Sequence, residues 1–73
     1  MKTKDGVKIH VGDLLIADSG DVFEVSDIYG STNECYLYKV TFTEIVNGVQ
    51  FYRTDDLQLV SGDLIKTMQI YKD

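Results

Sequence analysis

Apolar residues along this chain recur mostly at every second position. The residues there are largely β-branched or aromatic, as expected of half-buried strands. The clearest element runs from Cys35 to Val46 and returns from Val49 to Thr54, joined by Asn47-Gly48. Asn-Gly is the strongest short hairpin signal, because a type I′ turn needs positive φ at both central residues. With those residues as the turn, Val46 faces Val49, Glu44 faces Phe51 and Phe42 faces Arg53. One face then carries Tyr36, Tyr38, Val40, Phe42, Val46, Val49 and Phe51, and is predicted to be buried. The other carries Cys35, Lys39, Thr41, Thr43, Gln50 and Thr54, with Leu37, Ile45 and Tyr52 as outward apolar exceptions.

A second hairpin precedes it. Leu14-Leu15-Ile16-Ala17 reads as a short strand and Val22 to Tyr29 as a longer one, with Asp18-Ser19-Gly20-Asp21 as the turn and Gly20 free to adopt a left-handed conformation. Leu14 and Ile16 are expected to share an inner face with Phe23 and Val25, and Gly30 to Glu34 to form a polar loop. After Thr54, Asp55-Asp56-Leu57 suits a 3₁₀ turn, and Gln58-Leu59-Val60 a short closing strand. From Leu64 to Asp73 the apolar residues fit helical and alternating spacing alike, and the segment is expected to pack on the rest as an extended stretch.

At 73 residues the chain is one domain with a small core and little room for a deep enclosed pocket. No apolar run approaches a membrane span, and Met1 to Gly6 lacks the apolar stretch of a secretory signal. A lone cysteine, Cys35, forms no internal disulfide and favours a reducing compartment, so a cytoplasmic location is expected. The net charge of −5 is uneven: between Lys8 and Lys39 lie Asp13, Asp18, Asp21, Glu24, Asp27 and Glu34 with no lysine or arginine. Such a field repels phosphate backbones and argues against direct nucleic-acid binding.

Catalytic chemistry finds no support. His10 is the sole histidine, and no motif places it with a serine or with Cys35. One Cys and one His make no zinc site, and the acids of the Asp18–Asp21 turn lack the spacing of a calcium loop. The chain is read as no enzyme, without cofactor or metal. Eight aromatic residues are many for this length. Phe23, Phe42 and Phe51 are predicted as core, while Tyr52 beside Ile45 and Leu37 forms an outward apolar set suited to an interface. The competing expectation is that Ile70 and Tyr71 cover that set.

The strand plan, five short strands with a long central hairpin, predicts a small SH3-like barrel. It divides into a flexible lead-in at 1–8, the barrel at 9–60, and an extra strand or short helix at 61–73. Gly6-x-x-Ile9-x-x-Gly12-Asp13-Leu14-Leu15 resembles the opening of many small bacterial and phage barrels, including KOW-like domains and YopX-like prophage proteins. Asp56-Leu57-Gln58-Leu59-Val60 resembles the turn and strand that close them. The resemblance implies a phage or prophage origin more than an activity. Its RNA-binding members look basic where this chain is acidic, and the tryptophan-lined groove of peptide-binding SH3 domains is missing.

These features together predict a non-catalytic protein-binding module. Asp18, Asp21, Glu24 and Asp27, with Leu37, Ile45 and Tyr52, are the candidate contacts for a basic or nucleic-acid-handling protein, which the acids would inhibit by mimicking nucleic-acid charge. The alternatives are an oligomerising structural subunit, a homo-oligomer in which Leu37, Ile45, Tyr52 and the C-terminal strand form a self-complementary edge, and a nucleic-acid-binding barrel using Lys2, Lys4, Lys8 and barrel aromatics.

Overall fold

The computed structural model describes the backbone of residues 1–72, and the side chains of these except 42–46 and 49–55. Five strands, β1 (Leu14–Ile16), β2 (Val22–Tyr29), β3 (Glu34–Val46), β4 (Val49–Ser61) and β5 (Gln69–Ile70), form one antiparallel sheet in the order β4-β3-β2-β1-β5. Among the described residues the one helix is a single turn, α1 (Gly62–Ile65). The fold is thus all-β and barrel-like: four strands meander, and the chain returns through α1 to set β5 beside β1.

The turns form where the sequence places them. Asn47 and Gly48 have φ of 54° and 80°, and Val46 pairs with Val49. Gly20 (φ 92°) turns the first hairpin, and Gly12 (φ 95°) the opening motif. There the Asp13 carboxylate accepts a hydrogen bond from the His10 backbone N–H at 2.8 Å.

Away from the Asn-Gly turn the register departs from the regular one. Phe42 pairs with Tyr52 rather than Arg53, and irregularities fall between Phe42 and Ile45 and between Tyr38 and Lys39. At the second, Tyr38 pairs with Leu57 and Lys39 with Asp55, which leaves Asp56 as the extra residue of a bulge. A bulge absorbs one residue without ending the strand. Residues 55–60, predicted as a 3₁₀ turn and a separate closing strand, are therefore continuous with β4. The helical turn comes later, at α1, and the last strand is β5 within the 61–73 segment, which adds to the β1 edge with Leu15 paired to Ile70 and Ile16 to Gln69.

On β1 and β3 the core occupies the face opposite to the predicted one, while Phe23 and Val25 of β2 face it as predicted. Leu15, Val25, Cys35 and Leu37 are buried together with Ile65, Met68 and Ile9. Leu37, predicted to point outward, is only 1% exposed, whereas Tyr36 and Tyr38, predicted inward, lie half-buried on the other face. In β1 it is Leu15, not Leu14 or Ile16, that shares the inner face with Phe23 and Val25. Both faces carry enough apolar residues to satisfy a two-residue period, so alternation alone does not choose between them. The covering segments do, because α1 and the residue 65–68 stretch bring Ile65 and Met68 over the Cys35–Leu37 side.

The N-terminal residues, expected as a flexible lead-in, are hydrogen-bonded into a small hairpin. Thr3 N–H donates to Val7 O (2.9 Å), Ile9 N–H to Met1 O (3.2 Å) and Lys4 N–H to Met68 O (3.0 Å). This hairpin carries Ile9 onto the core and buries Thr3. Among the described residues no helix is long and apolar enough to cross a membrane.

Candidate functional site

Directly opposed residues of an antiparallel pair project to the same side of a sheet. The pairing therefore defines rows across the face opposite the core. One row is Leu14, Glu24, Tyr38 and Leu57; the next is Asp27, Tyr36 and Leu59; a third is Tyr29, Glu34 and Ser61. A fourth, Ile16, Val22 and Val40, is partly closed, with Val22 and Val40 buried.

In the other rows Leu14, Glu24, Glu34, Tyr36 and Tyr38 are half-buried, and Asp27, Tyr29, Leu57, Leu59 and Ser61 are exposed. Leu57 is 47% exposed, Leu59 51% and Tyr29 47%. Tyr29 and Tyr36 stack edge to face, with ring centroids 5.8 Å apart and planes at 80°. That geometry sets the positive edge of one ring against the negative face of the other and fixes both rings in place. The result is an aromatic and aliphatic patch made by Tyr29, Tyr36, Tyr38, Leu57 and Leu59, with Glu24, Asp27 and Glu34 in the same rows.

The predicted acidic residues divide into two groups. Asp18 and Asp21 stand at the first hairpin's tip, away from the patch, and both have cationic neighbours. Lys4 Nζ is 2.9 Å from Asp18, and Lys39 Nζ is 3.7 Å from Asp21. The acidic run lacks lysine in sequence but not in space. Glu24 and Asp27 instead lie in the patch rows, where Asp27 accepts from the Ser26 hydroxyl at 3.1 Å.

Of the predicted apolar contacts, Leu37 is in the core and unavailable. The backbones of Ile45 and Tyr52 pair with Gln50 and Phe42, while their side chains lie outside the described residues. Ile70, the competing expectation's cover for that set, packs against the core cluster that holds Leu37, so for Leu37 the C-terminal segment does supply the cover.

Tyr29, Leu57 and Leu59 were missed as surface residues. The available signal was the Leu57-Gln58-Leu59 alternation beside Asp55-Asp56, which reads equally well as the inner side of a closing strand.

The reactive groups are dispersed. Cys35 is fully buried, and burial pushes its thiol pKa upward, which disfavours the nucleophilic thiolate. His10 is exposed, with Nδ1 3.9 Å from Asp13 Oδ2. Among the described residues no three His, Cys, Asp or Glu side chains cluster as metal ligands would. A shallow cleft between the N-terminal hairpin and β5 is lined by Asp5, Val7, Gln69, Ile70 and Lys72. No protein-family model, curated protein or solved structure matches this chain, so the open face stands on its own geometry.

Proposed function

We propose that the chain is a non-catalytic protein-binding module that docks the open face of its sheet on a basic protein segment. The observation that carries this reading is the juxtaposition of exposed Tyr29, Leu57 and Leu59 with Glu24, Asp27 and Glu34 on one face. Aromatic and aliphatic side chains supply desolvation energy at an interface, while surrounding carboxylates steer a cationic partner and set its orientation. The same carboxylates oppose a phosphate backbone, so the face suits a protein better than a nucleic acid.

The sharper form of the reading is a phage or prophage inhibitor that occupies a host enzyme's nucleic-acid surface. It draws on Glu24, Asp27 and Glu34 rather than the hairpin tip, because Asp18 and Asp21 already have lysine partners.

Titration with a lysine- and arginine-rich peptide, followed by backbone amide shifts, tests the proposal. Shifts should map to Glu24, Asp27, Tyr36, Tyr38, Leu57 and Leu59. They should weaken with salt and be lost in the Glu24→Gln, Asp27→Asn double variant. Shifts confined to Asp18 and Asp21, or none at millimolar peptide, would overturn it.

A further inference from the structure

We propose that two copies of this chain pair through the free edge of β4, antiparallel about a two-fold axis at Gln58, so that their sheets join into one. The inference goes beyond the basic-partner reading and rests on the sheet edge rather than on the acids.

Strand β4 ends the sheet and spans thirteen residues, with β3 on one side and, among the described residues, no strand on the other. Proteins usually blunt such an edge with proline, lysine, a short strand or a bulge, because its backbone donors and acceptors invite another strand. The chain has no proline, and although Arg53, Asp55 and Asp56 charge the earlier part of β4, residues 57–61 include no charged residue. The bulge at Asp56 guards only the start of the stretch that follows. From Leu57 to Ser61 the strand is in unbroken register with Tyr38 to Glu34. Leu57, Gln58, Leu59 and Ser61 are all exposed.

The sequence of this stretch selects one self-pairing. An axis at Asp55 or Asp56 sets a carboxylate against its own copy, which is destabilising. An axis at Leu57 places Asp55 against the second copy's Leu59. One at Leu59 leaves a single leucine pair and puts Leu57 against a serine. With the axis at Gln58, Leu57 lies opposite the second copy's Leu59 and Leu59 opposite its Leu57, so four exposed leucines cover one another on the open face. Asp56 then falls opposite Val60, and no acids oppose. The Gln58 side chains meet on the other face, where two amides can hydrogen-bond.

A seam this short makes a weak, concentration-dependent dimer. Because each copy carries a net charge of −5, its formation should strengthen with salt, opposite to the salt response of a basic partner. Failure of one proposal is therefore separable from failure of the other.

The test is disulfide trapping of the full chain. Residues paired across an antiparallel seam have Cα atoms about 4.5–5.5 Å apart, within the range a disulfide spans. The native Cys35 is buried and does not compete. Under mild oxidation Gln58→Cys should link copies at least about tenfold faster than exposed Asp63→Cys at equal concentration, because pairing raises the effective thiol concentration. The rate should rise with sodium chloride. Adding Leu59→Lys should return the rate to that of Asp63→Cys, with the circular dichroism spectrum unchanged. Linking of Gln58→Cys no faster than Asp63→Cys, or faster linking by Leu59→Cys, would overturn the proposal.

Discussion

The two faces of the β2–β3–β4 sheet are built from the same strands and the same residue classes, yet they have opposite fates. One face presents Val25, Cys35 and Leu37 to Leu15, and is sealed by Ile65, Met68 and Ile9. The other presents Tyr36, Tyr38, Leu57 and Leu59 and has no comparable cover over its central rows. Side-chain size alone does not separate them, since the larger aromatics lie on the open side. What separates them is chain reach. The segments before β1 and after β4 both cross the same side, and burial follows the cover. Small domains bury only part of their apolar surface, so one uncovered face is the expected cost of so short a chain. The docking proposal rests on the aromatic content of that face.

The contrast is broken most directly by truncating one leucine on each side. Leu37→Ala should cost about 2–5 kcal/mol, because a fully enclosed side chain leaves a cavity. Leu59→Ala should change stability by no more than about 0.5 kcal/mol. Urea denaturation of both variants decides the matter, and equal losses would mean that the open face is covered in solution.

The closure of the core at α1 offers a second, somewhat smaller test. A methyl group on Gly62 would meet Asn33 Oδ1 at 2.1 Å and Asn33 Cγ at 2.8 Å. Gly62 N–H also donates to Asn33 O at 2.7 Å, holding α1 against the β2–β3 loop. Gly62→Ala should therefore destabilise by about 1–3 kcal/mol through overpacking. Asn33 itself has φ of 54°, which glycine adopts freely, so adding Asn33→Gly should restore most of the loss. Calorimetry of the single and double variants would show no such rescue if the contact did not matter.

The smallest expected effect concerns Cys35, whose burial raises its pKa above the ordinary value of 9.0. A thiol with a raised folded pKa favours folding fully below its unfolded pKa. That contribution is lost as pH climbs through the folded value. The unfolding midpoint should therefore fall above about pH 9, and Cys35→Ala should flatten that fall. Equal slopes for the two proteins would show that Cys35 ionisation does not contribute.

Much of the local structure was legible. Asn47-Gly48 set its turn and the Val46–Val49 pair, Asp18 to Asp21 marked the first hairpin, and Val22 to Tyr29 was a strand with those bounds. Gly12-Asp13 announced the turn that leads into β1. These features depend on φ preferences and side-chain-to-backbone bonds within a few residues, which any sequence displays.

The candidate site was only half legible. Glu24 and Asp27 were among the candidate contacts, but Leu37 was assigned to the wrong side, Leu57 to a 3₁₀ turn and Leu59 to a separate closing strand. The bulge at Asp56 has no distinctive sequence signal, and one extra residue reverses every side chain beyond it.

By itself, then, the sequence determined an all-β chain, its two hairpin turns and its acidic balance, because propensity, turn chemistry and charge are local or additive. The tertiary structure decided which sheet face is core, where β4 ends, and that Gln69–Ile70 adds to the sheet beside β1. A two-residue strand has little pairing energy of its own. It forms because Ile65 and Met68, anchored in a core that residues more than twenty positions away complete, deliver it to Leu15.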